Sequence, residues 1–267
     1  MYSKYKLAGK WLHYWRNSSN SKGHGVHSPF VFEFIEKVLN DKGEYYCYQP
    51  IEGMRSWLKH TDKVLEIQDF GAGSRVNSNL QRKVSSIARS ALKQPKFGKL
   101  LFRMVNFYQP KTIIELGTSL GVTTSYLASG NEKARVITME GAPAVAAVAR
   151  DNFRQLGLRN IELVEGNFDL TLPKVLESCK ESGVDFAFID GNHRYEPTIQ
   201  YFKQLLAHTG ENSIVILDDI HWSEEMEKAW AEVQHHEAVT MTIDLFFIGI
   251  VLFKPDFKIK QHFSVRF

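Results

Sequence analysis

The most constraining feature of this 267-residue sequence is a short apolar strand that runs directly into two glycines and then into a helical pattern. Ile113, Ile114 and Leu116 suit a buried parallel strand. Gly117 and Gly121 let the backbone turn sharply and approach a ligand, and the following helix directs its N-terminal amides towards that ligand. This order of elements predicts a cradle for a nucleotide-sized molecule.

Two acidic residues narrow the choice of ligand. Glu115 lies within the first strand, and Glu140 ends the next apolar run, residues 135–139. A carboxylate at the tip of the second strand is placed to accept two hydrogen bonds from a ribose diol. The pattern therefore predicts an adenosine cofactor.

The spacing of the glycines indicates which adenosine cofactor fits. Dinucleotide sites use G-x-G-x-x-G, whose middle glycine makes room for a pyrophosphate, whereas this loop reads G-x-x-x-G. The chain also lacks G-x-x-x-x-G-K-[ST], which argues against a P-loop. A cofactor without a diphosphate is therefore favoured.

The loop and the acid resemble those of the class I S-adenosylmethionine-dependent methyltransferases. The first motif of that family has the form E-x-G-x-x-x-G, and its second strand ends in an acid. In that family the loop holds the methionine part of the cofactor and the acid holds the ribose. The resemblance covers about residues 97–267 and implies the following cofactor contacts in this region: Glu115, Gly117, Thr118, Ser119, Gly121, Thr123, Glu140 and Gly141. The alternative is a strand, a turn and a helix of some other α/β protein.

A further cofactor motif follows the strand predicted at residues 160–164. Gly166 permits close approach to an adenine, and Asn167 and Phe168 are candidates for holding the base or stacking on it. Phe168 fits an ordinary buried aromatic as well. Asp169 fits a cofactor ligand and the N-cap of a helix equally.

Acids also end two later strands. Asp190 follows the strand predicted at residues 184–189, and Asp218 and Asp219 follow the strand at 213–217. Because adjacent parallel strands lie about 4.8 Å apart, these carboxylates are expected to converge and to repel unless a cation binds. Oxygen ligands favour Mg²⁺, with Mn²⁺ or Ca²⁺ as alternatives.

These strand ends resemble those of the cation-dependent O-methyltransferases of the catechol and caffeoyl-CoA types, where acids hold a magnesium that binds both oxygens of a vicinal diol. The resemblance implies Asp190, Asp218 and Asp219 as metal ligands, with Asp190 also contacting the cofactor. The family commonly has Asp-Asn at the second position, so Asp219 is a departure that adds negative charge. The alternative is that these acids cap helices or bind solvent without a metal.

His193 falls where the catechol type carries its lysine base. An imidazole can remove a hydroxyl proton near neutral pH. His193 and Asp190 are thus the predicted catalytic residues, in a direct in-line displacement by an oxyanion on the sulfonium methyl group. His221 and Trp222, just beyond the acids, are candidates for shaping the acceptor pocket.

The leading function is O-methylation of a small-molecule hydroxyl. Methylation of a nitrogen or of RNA uses the same cofactor domain and stays open, as does a noncatalytic S-adenosylmethionine-binding protein. A net charge of +3 is too small to imply a nucleic-acid partner by itself. The oligomeric state is open, a homodimer included.

Composition bounds the class of protein. A hydrophobic content of 43% in 267 residues is enough for one large core with a smaller appendage. Cys47 and Cys179 are far apart in sequence and form no C-x-x-C pair, so neither a disulfide framework nor a cysteine-ligated zinc site is indicated, and a reducing cytoplasm is the expected location. The first residues contain no uninterrupted apolar run, and no later run reaches the ~18 residues of a membrane span, so we expect neither export nor a transmembrane segment.

From residue 97 onwards, strands and helices alternate regularly. The predicted fold is α/β and Rossmann-like, with a mostly parallel sheet, helices on both faces and antiparallel C-terminal strands. The C-terminal region at residues 239–253 is rich in strand-forming residues, and we expect Gly249 to divide it into two strands. Residues 1–96 are predicted to form a mainly helical accessory region, and residues 97–267 the methyltransferase domain. Residues 79–92 are expected to be helical.

The first 30 residues are basic and aromatic. They contain no acid, and their basic and aromatic side chains are Lys4, Lys6, Lys10, Arg16 and Lys22 with Tyr2, Tyr5, Trp11, Tyr14 and Trp15. Such a segment could touch phosphate or an anionic surface. The favoured interpretation is a helix whose aromatics pack on the main domain while its lysines stay solvated.

Residues 69–73 have the sequence DFGAG, which resembles a second cofactor loop. No strand that ends in an acid follows at the expected interval. We assign the segment to the accessory region, with Ser74 and Arg75 as candidate ligand contacts. A second nucleotide site is the alternative.

Overall fold

A computed structural model describes residues 1–19, 28–67, 80–255, 257 and 259–267. The helices in these ranges are α1 (Lys4–Asn17), α2 (Pro29–Phe34), α3 (Tyr48–His60), α4 (Val84–Ala91), α5 (Pro95–Tyr108), α6 (Val122–Gly130), α7 (Pro143–Gln155), α8 (Phe168–Ser178), α9 (Tyr195–Leu206) and α10 (Glu224–His235). The strands are β1 (Val64–Ile67), β2 (Leu80–Lys83), β3 (Thr112–Leu116), β4 (Arg135–Glu140), β5 (Ile161–Glu165), β6 (Val184–Ile189), β7 (Thr209–Asp218), β8 (Met241–Asp244), β9 (Ile248–Leu252) and β10 (Gln261–Ser264). A π-helical segment, Ile35–Leu39, continues α2. The DFGAG segment, Ser74 and Arg75 lie outside the described residues.

The chain divides into two compact units, one made of Met1–Asp41 with Cys179–Phe267 and the other of Lys42–Ser178. Each unit contains part of the α/β pattern. The predicted domain boundary after residue 96 stays a prediction.

In the unit Lys42–Ser178, strands β3, β4 and β5 pair in parallel, with β4 in the middle. Every residue of β3 is buried, as a continuous apolar strand requires when both of its faces are covered. Parallel pairing brings the carboxyl ends of β3 and β4 to the same edge, where the glycine loop and Glu140 follow. A separate antiparallel pair, β1 with β2, lies in the same unit.

In the unit formed by the two chain ends, the strand order is β10-β8-β9-β7-β6. Strands β6 and β7 are parallel, which brings Ile189 and Leu217 into register immediately before the predicted acids. Strand β9 is antiparallel to both β7 and β8, as expected for a C-terminal antiparallel finish. Strand β10, by contrast, pairs in parallel with β8.

The predicted break at Gly249 is wrong. The chain turns at residues 245–247, where Phe246 has a φ of 69°, and Gly249 lies inside β9. A Cβ on Gly249 would lie 2.6 Å from the Trp230 ring, so this glycine makes room for helix α10. Glycine thus marks close packing here and not a turn.

The regular pattern from residue 97 onwards is confirmed. The strands predicted at residues 135–139, 160–164, 184–189 and 213–217 are all present, and helices alternate with them, α8 among them after β5. The helix predicted at 79–92 begins at Val84, because β2 occupies the preceding residues. Among the described residues, no helix is long and apolar enough to cross a membrane.

The N-terminal helix α1 only partly follows the favoured interpretation. Tyr14 is buried, as predicted for an aromatic that packs on the rest of its unit. Tyr5, Trp11 and Trp15 are exposed, so for these three the inward-packing interpretation is wrong.

Candidate functional site

The glycine loop after β3 is folded back on the end of β4. The amides of Gly117 and Thr118 both donate to the Met139 carbonyl, at 3.1 and 3.0 Å, and Gly117 has a φ of 108°. Gly121, at φ 80°, is the N-cap of α6, and a Cβ there would lie 2.5 Å from the Phe153 ring. Gly121 is therefore required both by its backbone angle and by the packing of α7.

A buried hydrogen-bonded cluster lies beneath this loop. The fully buried Glu115 accepts hydrogen bonds through Oε2 from the hydroxyls of Thr124 and Thr138, and the Thr138 and Thr118 hydroxyls are 2.6 Å apart. Burial raises the pKa of Glu115 to about 7, although both threonine hydrogen bonds oppose the rise. Its Oε1 has no hydrogen-bond partner within the described part of the chain. Thr123, on the first turn of α6, is half-buried.

Glu140 sits at the tip of β4 and organises the loop. Its Oε2 accepts from the Ser119 amide and its Oε1 from the Ala142 amide, both at 2.9 Å. Burial raises the pKa of Glu140, and the backbone amides act in the opposite direction. Each carboxylate oxygen has a second lone pair, so these bonds leave acceptor capacity for a ligand hydroxyl. Around Gly141, a Cβ would meet nothing within 4 Å.

The residues after β5 form a turn that starts α8. Gly166 has a φ of 132°, a conformation that favours glycine, and Phe168 is half-buried. Asn167 accepts a hydrogen bond from the Asp169 amide at 2.9 Å. Asn167 therefore caps the helix, and the N-cap interpretation of Asp169 is wrong, because Asp169 already lies in the first turn.

The unit formed by the chain ends holds the predicted acids. Asp190, His193 and Asp218 each offer one ligand atom, and these three atoms lie within 4.8 Å of one another. His193 Nε2 is 3.5 Å from Asp190 Oδ1, and Asp218 is buried at 1% exposure. Asp219 is not part of this group, which contains His193 as its third member.

Three non-glycine residues around this cluster have left-handed backbones. They are Asn192 at φ 64°, His193 at 41° and Asp219 at 53°. The Asn192 amide group donates to the Tyr201 hydroxyl at 2.8 Å, and the Asp219 amide donates to the Phe247 carbonyl at 2.6 Å. Such conformations cost energy and concentrate at functional sites, where surrounding contacts hold them in place.

His221 belongs to a second polar group of the same unit. Its Nε2 lies 2.8 Å from Asp244 and its Nδ1 lies 3.1 Å from Glu227. Burial by itself lowers the pKa of His221, but the two carboxylates outweigh burial and raise it. Sequence reasoning missed both acids. Asp244 ends a strand, as Asp218 does, and could have been predicted as a site residue on that ground. It was missed because the strand break was predicted at Gly249 and not directly after Asp244.

A cavity of about 550 Å³ opens beside this group. Its lining residues are Gly9, Lys10, His13, Tyr14, Asn17, Ser18, His221, Glu227, Asp244, Phe246 and Ser264. Trp222 does not line it; its carbonyl accepts a hydrogen bond from the Tyr2 amide at 2.9 Å. Of the two residues predicted to shape an acceptor pocket, the structure thus places His221 at a cavity.

Residues 114–220 match a family model described as a methyltransferase domain. The matched range includes every predicted cofactor, metal and catalytic residue, from Glu115 to Asp219. A catechol O-methyltransferase of Niastella koreensis is 31% identical over 128 residues, which are 47% of this chain and 57% of that protein. The chain spans about half the length of the curated relatives it matches.

Solved structures share the fold along nearly the whole chain. A methyltransferase from Podospora anserina, bound to S-adenosylhomocysteine, has a TM-score of 0.59 at 15% identity and covers 95% of this chain and 97% of its own. An O-methyltransferase from Bacillus cereus, in complex with S-adenosylhomocysteine, has a TM-score of 0.56 at 19% identity, with coverages of 84% and 97%. The predicted resemblance to class I methyltransferases and the predicted α/β fold class are both confirmed.

Proposed function

We propose that this chain, whose residues 114–220 match a methyltransferase-domain family, transfers a methyl group from S-adenosylmethionine to a hydroxyl of a small molecule with the help of a divalent cation. The observation that carries the proposal is the convergence of Asp190, His193 and Asp218 at the ends of β6 and β7. Open α/β sheets bind ligands at the carboxyl ends of their strands, and these residues combine acid, base and metal-ligand chemistry there.

The glycine loop and Glu140 are proposed to hold the cofactor. Glu140 is fixed by two backbone amides, so its remaining lone pairs are oriented before any ligand arrives. Two ribose hydroxyls would donate to it, as the sequence predicts. Gly166 and Phe168 would lie against the adenine. Gly166 has no side chain to block the flat base, and the Phe168 ring can stack on it.

The donor set fits a hard divalent cation. Two carboxylates whose oxygens lie within 4.8 Å of each other are acceptable to Mg²⁺ and Mn²⁺. When bound, the cation would act as a Lewis acid that favours the ionised acceptor hydroxyl. Asp190 and Asp218 would hold it, and the His193 ring beside them would remain available for the acceptor's proton. Asp219 is proposed to contribute negative charge without direct ligation.

His193 is proposed as the proton acceptor. Its Nε2 lies 3.5 Å from Asp190 Oδ1, next to the carboxylates that would hold the cation, and would take the hydroxyl proton there. The acceptor oxygen then forms a bond to the methyl carbon while the carbon–sulfur bond breaks, and the cofactor leaves as the neutral thioether.

The acceptor is proposed to be a vicinal diol on an aromatic ring. The names of the catechol O-methyltransferase relatives favour this class. The cavity beside His221 has an aromatic wall of Tyr14 and Phe246, and its volume of about 550 Å³ is within the range typical of small-molecule sites. Cytoplasmic location and a homodimer stay predictions.

Methyl transfer from radiolabelled S-adenosylmethionine to catechol tests the proposal, with Mg²⁺, with Mn²⁺ and with excess chelator. Asp218→Asn is expected to lower metal-dependent transfer at least ~100-fold, because it removes a buried ligand charge. Calorimetric binding of S-adenosylhomocysteine should persist in this variant. Glu211→Gln, which removes an exposed carboxylate of β7, is the matched control and should retain activity.

Other outcomes separate the alternatives. Undiminished wild-type activity in excess chelator, or undiminished activity of Asp218→Asn with Mg²⁺, would remove the cation from the mechanism. Tight, salt-sensitive retention of RNA together with methyl transfer to RNA would favour a nucleic-acid substrate. Cofactor binding without transfer to any acceptor would favour a noncatalytic binding protein.

A further inference from the structure

The outward side of α1 carries large apolar side chains that the rest of the unit leaves uncovered. Tyr5 is 92% exposed, Leu12 44%, Trp11 39% and Trp15 38%. The two indole rings stack with their centroids 5.3 Å apart. We call these four residues the outer face of α1. Single exposed apolar residues are ordinary, but several on one helical face indicate an interaction surface.

The opposite side of α1 is held firmly by its own unit. The Tyr2 hydroxyl donates to Glu227 at 2.7 Å, and Lys10 forms an ion pair with the same carboxylate at 2.9 Å. The buried Tyr14 hydroxyl donates to the Val265 carbonyl. The outer face is therefore presented by an anchored helix and needs no rearrangement to become accessible.

Basic side chains surround the outer face. Lys4 and Arg16 are exposed at the two ends of α1, and the Arg266 guanidinium lies 5.0 Å from the centre of the Trp15 ring. The first acidic residue of the chain is Glu33. An apolar, tryptophan-containing patch within a cationic border matches the two forces that bring helices to a bilayer, insertion of aromatic rings at the headgroup level and attraction to anionic lipids.

We propose that the outer face of α1 binds peripherally to the surface of an anionic lipid bilayer. The helix would lie in the plane of the interface, with Trp11, Leu12 and Trp15 at the level of the headgroups and Lys4 and Arg16 next to lipid phosphates. This inference is independent of the proposed methyl transfer, because it uses none of the residues assigned to the cofactor or to the cation.

Two other occupants fit the same face less well. In a symmetric contact between two copies, Lys4 and Arg16 of each copy would approach the same basic border, and no acid of residues 1–32 is available to pair with them. Nucleic acid would use the cations and the flat rings, but it gives no role to the aliphatic Leu12 between them. An anionic bilayer satisfies the apolar and the basic side chains together.

Vesicle flotation of the full chain tests the proposal, with phosphatidylcholine vesicles that contain or lack phosphatidylglycerol. Wild type is expected to float with the anionic vesicles and to remain below with the neutral ones. Trp11→Ser combined with Trp15→Ser should reduce binding at least ~10-fold, because both interfacial rings are lost. Trp57→Ser is the matched control, since Trp57 is 50% exposed on α3 and should leave binding unchanged.

A charge series gives a second, independent measurement. Lys4→Glu with Arg16→Glu should abolish flotation with anionic vesicles. Lys133→Glu with Arg159→Glu changes the net charge equally at exposed positions elsewhere and should leave binding within about twofold of wild type. Thermal unfolding of every variant verifies that the chain is folded.

The proposal fails if folded wild type does not float with anionic vesicles, or if the Trp57 or Lys133/Arg159 variants lose as much binding as the α1 variants. A mass in solution that falls from dimer to monomer in the double tryptophan variant would assign the face to self-association. Loss of RNA retention in that variant, without vesicle binding by wild type, would assign it to nucleic acid.

Discussion

The buried carboxyl of Glu115 makes a quantitative prediction about stability. Its pKa is about 7 in the folded protein against an ordinary value of 4.5, and burial is the main cause. The folded state therefore holds the proton to a higher pH than the unfolded state, and the free energy of unfolding falls as the pH rises from 4.5 to about 7. Converted at about 1.36 kcal/mol per pH unit, this gap corresponds to about 3 kcal/mol.

Glu115→Gln removes this pH dependence while it keeps an oxygen that accepts from Thr124 and Thr138. The difference in unfolding free energy, wild type minus variant, should be largest near pH 4 and should fall by about 3 kcal/mol by pH 8. Urea unfolding followed by circular dichroism at several pH values measures this difference.

The matched control is Glu211→Gln, which removes an exposed carboxylate. A drop of this size is not expected there, because an exposed carboxylate stays hydrated in both states. If the difference for Glu115→Gln stays constant within about 1 kcal/mol between pH 4 and pH 8, the reasoning from burial is refuted.

Three further outcomes are expected. Gly121→Ala should destabilise the protein by about 2–4 kcal/mol in urea unfolding, because Gly121 has a φ of 80° and its added Cβ would lie 2.5 Å from the Phe153 ring. Gly141→Ala is the control and should change stability by less than about 1 kcal/mol, because a Cβ there meets nothing within 4 Å. Equal effects of the two substitutions would contradict the packing argument. Tyr14→Phe should cost about 1 kcal/mol through loss of the bond to Val265, and an unchanged thermal midpoint would show that this bond is dispensable. Excess chelator should lower methyl transfer to catechol and leave calorimetric S-adenosylhomocysteine binding intact, and loss of both would place the cation in cofactor binding.

Local sequence pattern was sufficient for most of the α/β framework. Strand β3 and the glycine loop could be predicted because continuous burial and left-handed backbone angles each leave a clear mark in residue type. The break predicted at Gly249 was wrong because residue type alone does not distinguish a glycine that makes room for the Trp230 ring from a glycine that allows a turn.

The candidate metal group was also predicted only in part from the sequence. Strand periodicity was enough to place Asp190 and Asp218 at strand ends, but the left-handed backbones of His193 and Asp219 could not be read from residue type, because non-glycine residues rarely adopt them. These angles accompany a group that contains His193 and not Asp219.

The sequence by itself determined the alternation of strands and helices between residues 97 and 217, the glycine loop after β3 and the acids at the ends of β6 and β7, since hydrophobic period and turn residues act over a few neighbours. Only the tertiary structure decided which side of α1 is buried, through the bond from Tyr14 to Val265, and that His221 lies beside Asp244. These outcomes depend on partners far apart in the chain, and a local pattern carries no information about which distant surface a side chain meets.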